Sequence, residues 1–209
     1  MAKKIIITIA RQYGSGGREI GERTARLLGI PIYDKELITD AAANGNLSED
    51  VLKDVDESAA NSLLYTLAMG SNIMGPSAHF GYKMPINDKL FILQSDVIKK
   101  YAKEGSCVII GRCADYVLKD EPNVLRLFIY GNIEQRQARI RERHPEIKSS
   151  QVIDVINKTD KRRASYYNFY TGNKWGKYDN YDIAINSSTL GIEGTAEIIA
   201  AYVNMLMRE

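Results

Sequence analysis

The chain has 209 residues, of which 28 are basic and 26 acidic, giving a net charge of +2 at pH 7. A chain of this length forms one large domain or a core with an insert. The small net charge argues against binding to nucleic acid or to a membrane surface through a global field, so an anionic ligand must be held locally. Cys107 and Cys113 are too few for a disulfide scaffold, and because both lie in or beside an apolar run we expect reduced core thiols. No apolar run approaches the roughly 20 residues of a membrane span. We therefore expect a cytoplasmic protein, monomeric or homodimeric.

The first predicted strand and the loop after it organise the rest of the chain. Residues 5–9 form a β-branched run without polar alternation, which is typical of a central parallel strand buried on both faces. Residues 14–17, Gly-Ser-Gly-Gly, can adopt positive φ angles, and residues 19–28 favour a helix. A strand, a glycine loop and a helix in this order present backbone N–H groups to an anion. The segment predicts a phosphate site, with a purely structural turn as the alternative.

This loop departs from the phosphate-loop pattern, which requires Gly, four residues, Gly, Lys and then Ser or Thr. Gly17 takes the Lys position, Arg18 takes the position of the magnesium-binding hydroxyl, and Arg11 replaces the first glycine. A one-residue shift instead puts Arg18 in the Lys position and Glu19 at the metal. In either alignment a guanidinium, a good bidentate partner of phosphate, stands near the loop. No side chain can be identified from the sequence as a magnesium ligand.

The elements that follow alternate between strands and helices. We predict strands at 30–33, 107–110, 124–130 and 181–186, and helices at 35–43, 47–56, 58–69, 89–104, 133–143, 149–170 and 192–208. This alternation indicates an α/β fold with a parallel, doubly wound sheet that binds ligands at the carboxyl ends of its strands. Residues 70–87 hold three glycines and two prolines together with Met, Phe and Tyr. Such a stretch inside a domain is typical of a binding loop or a lid.

Charged residues follow three of the predicted strands. The glycine loop and Arg18 come after the first strand, Asp34 after the second, and Arg112 and Asp115 after the third. Because the carboxyl ends of parallel strands lie at one edge of the sheet, we expect these residues to converge there. For Asp34 the alternative is a helix cap, and for Arg112 it is an ordinary surface position.

The helix predicted at 149–170 becomes basic and aromatic in its second half. Its residues fall on two flanks, one with Lys158, Lys161 and Arg162 and the other with Arg163, Tyr167 and Tyr170. A solvated helix face or an RNA-binding surface is the alternative interpretation, although the small net charge argues against RNA. His79 and His144 have neither a Cys/His cluster nor a nucleophile motif around them, so zinc and Ser-His-Asp chemistry lack support. Phosphoryl transfer needs neither, because it depends on positioning and charge neutralisation.

Several motifs together resemble a known family. They are ARQYGSGGREI and YDKELI near the start, Gly111-Arg112 with Asp115, the KRR segment followed by tyrosines, and YDIAINSS near the end. In order and spacing they are similar to the cytidylate kinase family of P-loop nucleoside monophosphate kinases, and most of all to its divergent cytidylate kinase-like branch. The resemblance implies one domain over residues 1–209 with a five-stranded parallel core at 1–40, 88–145 and 178–209. It also implies a helical acceptor-binding insert at about 41–87 and a basic lid at about 146–177.

The resemblance also implies site residues, a nucleotide substrate and cofactors. The implied phosphate-binding residues are Gly14, Ser15, Gly16, Gly17 and Arg18. The implied acceptor-binding residues are Arg11, Asp34, Arg112 and Asp115. The implied catalytic residues are Arg18, Arg112, Lys161, Arg162 and Arg163. ATP with Mg²⁺ would be the donor, and a nucleoside monophosphate such as CMP or a related small molecule the acceptor.

Three departures from the family pattern leave two functions open. The loop lysine and the magnesium-binding hydroxyl are missing, and Cys113 stands where cytidylate kinases usually have Asp after the Gly-Arg pair. The first interpretation is an enzyme that transfers the γ-phosphoryl group of ATP. The second is a nucleotide sensor or regulatory protein that kept the phosphate cradle and lost the chemistry. A lysine at the β/γ bridging oxygen stabilises the transition state by several kcal/mol, which is about the free energy lost when one oxyanion-hole donor is removed.

Overall fold

The sheet is built from short apolar strands that follow the predicted order. The computed structural model describes residues 4–34, 37, 39, 40 and 86–208. Its five strands are β1 Ile6–Arg11, β2 Ile32–Tyr33, β3 Cys107–Ile110, β4 Val124–Tyr130 and β5 Ile183–Asn186. All neighbours pair in parallel, in the spatial order β2-β3-β1-β4-β5. The predicted parallel α/β sheet is confirmed, and the glycine loop leaves its central strand.

Helices connect these strands. They are α1 Gly17–Leu28, α2 Ile86–Glu104, α3 Ala114–Val117, α4 Ile133–Arg143, α5 Val152–Thr171 and α6 Ser187–Arg208, with 3₁₀ turns at Ser149–Gln151 and Tyr178–Asn180. The chain divides into two compact units, one of residues 1–34 with 98–209 and one of residues 35–97. All five strands and the glycine loop belong to the first unit. Among the helices of the described residues, none combines the length and apolar character that spanning a membrane requires.

The strand β1 is buried on both faces, as its unbroken apolar run predicts. On one face Ile7 and Ile9 are fully buried in a cluster that includes Ile20 of α1 and Ile199 of α6. On the other face Ala10 packs in a smaller cluster of aromatic residues, with Phe128, Tyr181 and Trp175. Each fully buried isoleucine contributes roughly 1.5–3 kcal/mol of transfer free energy. This burial fixes the orientation of β1 and therefore the position of the glycine loop that follows it.

Most element bounds match the prediction, and the exceptions have local causes. The bounds of β3, β4 and α4 agree with it residue for residue. The first helix begins at Gly17 because Gly16, in the left-handed conformation, is its N-cap. The non-helical Gly191 divides Ser187–Arg208 into a short segment before it and a long helix after it, and the long helix starts at 192 as predicted. The helix α2 begins at Ile86, inside the stretch predicted to be irregular.

Some predictions lie outside the described residues. They include the helix at 35–43 apart from residues 37, 39 and 40, the helices at 47–56 and 58–69, and nearly all of the irregular stretch at 70–87. The boundaries of core, insert and lid stay predictions. Both cysteines, by contrast, are free thiols in the core, and burial raises the pKa of Cys107 to about 11. The prediction of core thiols is confirmed for Cys107 and Cys113.

Candidate phosphate-binding site

The loop between β1 and α1 has a backbone that requires glycine. Gly14 and Gly16 have φ angles of 77° and 79°, in the left-handed region that L-residues rarely adopt. A Cβ on Gly14 would lie 2.9 Å from the carbonyl oxygen of Arg136. Gly17 has the φ of an ordinary helical residue, but a Cβ there would lie 2.5 Å from the Cβ of Arg11. The first two glycines therefore serve the turn, and Gly17 allows close packing against the end of β1.

Every backbone carbonyl from residue 11 to residue 16 accepts a hydrogen bond. The donors are Arg163 Nη1 to Arg11 O at 2.9 Å, Ser15 Oγ to Gln12 O at 2.9 Å, Arg136 Nε to Tyr13 O at 2.8 Å, Arg139 Nη1 to Gly14 O at 2.7 Å, Ser187 Oγ to Ser15 O at 2.6 Å, and Ile20 N to Gly16 O at 2.9 Å. An incoming anion therefore meets loop carbonyls whose negative ends are already engaged. These hydrogen bonds offset part of the repulsion between the carbonyl oxygens and a phosphate.

The amide groups of the same loop are available to a ligand. Within the described part of the chain, the N–H groups of Gly14, Gly16, Gly17 and Arg18 have no hydrogen-bond acceptor. A left-handed Gly16 followed by a helical Gly17 is the alternation that forms an anion-binding nest, and the first turn of α1 adds the positive end of its dipole. The loop can therefore donate several backbone hydrogen bonds to one phosphate group.

A cluster of guanidinium groups lies beside the loop. Burial, followed by the positive charge of Arg163, lowers the pKa of Arg11 to about 9, and Arg112 and Arg18 act in the same direction. Asp34 opposes this effect, with its Oδ1 3.9 Å from Arg11 Nη2 and its Oδ2 3.2 Å from Arg18 Nε. Glu22 and Asp160 also lie near members of this cluster, but the four arginines outnumber the three carboxylates, and the excess positive charge favours an anionic ligand.

Arg18 has two carboxylate partners. Besides Asp34, it pairs with Glu22 one turn along α1, where Arg18 Nε lies 3.0 Å from Glu22 Oε1. Its side chain is about half exposed. The side chain that stands where the phosphate-loop pattern has Lys or a hydroxyl is therefore paired with acidic groups.

The turn after β3 has an unusual backbone. Gly111, Arg112 and Cys113 are three successive residues with φ angles of 70°, 54° and 55°. A left-handed conformation costs an L-residue about 1–2 kcal/mol, so two such residues store strain at the strand end. The guanidinium of Arg11 fills the space where Gly111 would carry a Cβ. The turn thus brings the backbone of β3 against Arg11 and holds Arg112 at the same edge.

Asp115 lies behind this turn and not at an open surface. It is buried, and the hydroxyl of Tyr167 from α5 donates to its Oδ2 at 2.7 Å. Burial raises the pKa of Asp115 and also that of Tyr167. Tyr181, whose own pKa burial likewise raises, interacts with Tyr167. These groups join the end of β3 to the helix that carries the predicted lid residues.

The predicted lid residues separate into two groups. Arg163 reaches the loop, where its Nη1 bonds the Arg11 carbonyl and its guanidinium lies 5.5 Å from the ring centroid of Tyr13. Lys161 and Arg162 are exposed. The two flanks predicted for this helix are thus observed, with Arg163 and Tyr167 directed inward. Of the other predicted site residues, the glycine loop, Arg11, Arg18 and Asp34 come together directly.

Four residues that contact the loop were not predicted as site residues. They are Arg136, Arg139, Asp160 and Ser187. The spacing of Arg136 and Arg139 puts them on one face of α4, which was a usable signal, but nothing local identifies their targets. Among the described residues no three metal-ligating side chains cluster, and the Ser15 hydroxyl is bonded to the Gln12 carbonyl.

Three solved structures have folds similar to that of this chain. A solved structure of an uncharacterized protein from Eubacterium ventriosum is 32% identical, with 97% of this chain and 99% of that chain covered and a TM-score of 0.71. Shikimate kinase from Bacteroides thetaiotaomicron is 13% identical, covering 97% and 99%, with a TM-score of 0.56. Shikimate kinase from Acinetobacter baumannii, solved with shikimate, is 11% identical, covering 98% and 96%, with a TM-score of 0.54. The two kinases share the fold with this chain.

A search of curated proteins found no match. The model of the cytidylate kinase-like family matches residues 6–189, which include the glycine loop, the turn after β3, and α5. The protein therefore belongs to the cytidylate kinase-like family and has the fold of P-loop kinases.

Proposed function

We propose that the protein is a kinase that transfers the γ-phosphoryl group of ATP to a nucleoside monophosphate such as CMP, or to a related small acceptor. The observation that carries this proposal is the polarity of the loop, in which the carbonyls of residues 11–16 are engaged and the amides at 14 and 16–18 remain available. The arginine cluster beside the loop supports it. Membership of the family makes ATP and Mg²⁺ the expected donor and cofactor.

In the proposed reaction an oxygen of the acceptor attacks the γ-phosphorus while the bond to the β–γ bridging oxygen breaks, releasing ADP. Charge spreads over the equatorial oxygens of the transferring group, so catalysis depends on positioning and on nearby positive charge. The backbone amides of residues 14–18 would hold the donor phosphates. Mg²⁺, bound with ATP, would neutralise phosphate charge. Arg11, Arg112 and Asp34 would border the acceptor.

The positive charge that a loop lysine normally supplies would come from Arg163 and Arg11. Arg18 is less suited to this role, because Glu22 and Asp34 already pair with it. Arg163 lies at the Arg11 carbonyl, on the strand that delivers the loop. Lys161 and Arg162, which are exposed, would join the transferring group only if their helix closes over it. Asp115, bonded to Tyr167, would act on the acceptor site through the turn that precedes α3.

The alternative function is a nucleotide sensor or regulatory protein. It is favoured by Gly17 in the lysine position and by Arg18 in the hydroxyl position of the loop. A sensor needs the cradle for binding but does not need interactions that strengthen in the transition state. The arrangement of amides and arginines serves binding in both cases.

The deciding experiment follows the label of [γ-³²P]ATP into products with Mg²⁺ and a panel of acceptors. The panel contains CMP, dCMP, UMP and hydroxylated molecules that are not nucleotides. We expect labelled product from at least one acceptor, and at least about 100-fold less product from Arg163→Ala purified in parallel, which controls for a contaminating kinase. Release of ADP alone does not count, since water can accept the phosphoryl group. Tight ATP binding without transfer to any acceptor would favour the sensor.

A further inference from the structure

The backbone of Tyr13, in the middle of the phosphate loop, is held at both of its polar atoms by one ion pair. The Tyr13 N–H donates to Oδ1 of Asp160 at 2.7 Å, and its carbonyl accepts from Nε of Arg136 at 2.8 Å. Arg136 and Asp160 pair with each other through Nη2 and Oδ2. The three groups form a closed ring of contacts that fixes the orientation of Tyr13.

The ion pair is well shielded from water. The side chain of Arg136 is 7% exposed and that of Asp160 17% exposed. A pair with so little solvent is stable only when its remaining hydrogen-bonding groups also find partners. Here the loop backbone supplies those partners, so the pair and the conformation of the loop depend on each other.

Two helices hold the loop in the same way. In α5, Arg163 follows Asp160 by three residues and bonds the carbonyl of Arg11. In α4, Arg139 follows Arg136 by three residues and bonds the carbonyl of Gly14. Residues three apart lie on one helix face, so each helix presents a two-residue contact surface to the loop. A shift of either helix would alter the loop carbonyls that it bonds.

We propose that Arg136 and Asp160 are positioning residues that set the phosphate loop for binding and couple it to α5, the helix that carries Lys161, Arg162 and Arg163. The inference rests on the proposed function, in that the ligand of the loop is a polyphosphate. By linkage, a helix that stabilises the binding conformation of the loop is itself stabilised when the loop is occupied. Phosphate binding and the order of α5 therefore change together.

The test compares Asp160→Asn with a matched control. Asp182→Asn makes the same chemical change at the other end of the strands, where Asp182 Oδ2 accepts from the backbone N–H of Arg126 at 2.7 Å and lies 3.8 Å from its Nη1. Calorimetry with ATP and with inorganic tripolyphosphate should show about tenfold weaker binding for Asp160→Asn and unchanged binding for Asp182→Asn. Arg136→Lys keeps the charge but cannot reach both Tyr13 O and Asp160, so it should resemble Asp160→Asn.

A second measurement needs no variant. Hydrogen exchange of the wild-type protein should show that tripolyphosphate protects both the loop, residues 11–18, and α5, residues 152–163. Protection of the loop without α5, or wild-type affinity in folded Asp160→Asn, would overturn the positioning role. Failure of the wild-type protein to bind ATP and tripolyphosphate would instead overturn the proposed function. A loss of thermal stability in Asp160→Asn with unchanged affinity would show a merely structural role and also overturn the inference.

Discussion

Replacing Gly17 by alanine is the most direct test of whether the backbone amides of residues 14–18 form a phosphate cradle. The structure shows that the new methyl group would have too little space. Gly17 is the first residue of α1 and is not in the left-handed region, so alanine imposes no left-handed strain there. Its Cβ, however, would lie 2.5 Å from Arg11 Cβ and 3.3 Å from Ile129 Cβ, whereas ordinary contact begins at 3.4 Å. Arg11 is the last residue of β1, and its Cβ cannot rotate away from the new methyl group. The loop or the strand end must therefore move by roughly 0.9 Å, the shortfall from ordinary contact.

A movement of this size would misalign the amide donors and the phosphate. Hydrogen bonds to charged groups contribute about 1.5–3 kcal/mol each, so the loss of one lowers affinity by about 10- to 150-fold. Calorimetry with ATP measures this loss, and thermal unfolding shows whether Gly17→Ala stays folded. Gly105→Ala is the matched control, because a Cβ there meets nothing within 4 Å and φ is not positive. A folded Gly17→Ala with the affinity of Gly105→Ala would refute the cradle.

Two further predictions concern α5 and its contacts. Arg163→Ala should lower kcat by about 100-fold or more, equivalent to roughly 3 kcal/mol, with a smaller effect on the acceptor KM. The reason is that the guanidinium of Arg163 already lies at the loop. Single-turnover transfer measures the effect, and a larger loss in Arg162→Ala would contradict the prediction. The raised pKa of Asp115 means that its contribution to stability is complete below its ordinary value of 3.8 and is lost as the pH rises through the raised value. The melting temperature of the wild-type protein should therefore fall relative to that of Asp115→Asn as the pH rises from 4 to 8, whereas a difference independent of pH would contradict this assignment.

The sequence predicts the sheet well because its strands carry a local signal. Largely apolar runs, interrupted only by Thr8 and Arg126, define β1, β3 and β4, and their buried positions on both faces of the sheet require such runs. The turn after β3 shows where this signal ends. Arg112 and Cys113 have no intrinsic preference for the left-handed conformation, so neither this turn nor α3 could be predicted from residue type.

The candidate site is less predictable, because its contacts join residues that are far apart in the sequence. Arg136 and Tyr13, 123 residues apart, meet only after α4 has packed beside the loop. Periodicity tells which face of α4 is apolar but not which arginine bonds a backbone carbonyl. Arg18 illustrates the converse. Its position next to the glycines indicates a phosphate ligand, yet Glu22 on the same helix and Asp34 at the end of β2 are its partners.

The missing lysine changes where the positive charge of the site originates. In a loop of the usual pattern the charge is part of the loop, whereas in the proposed function it would come from Arg11 at the end of β1, from Arg163 on α5 and from Arg112 in the turn after β3. Charge supplied in this way reaches the phosphates only when these elements are packed together. If the arginines only bind ATP, the protein is a sensor. An enzyme requires that the interactions of the arginines become stronger as charge spreads over the transferring group. The difference between the two functions therefore lies in whether Arg163→Ala lowers kcat or lowers only the affinity for ATP.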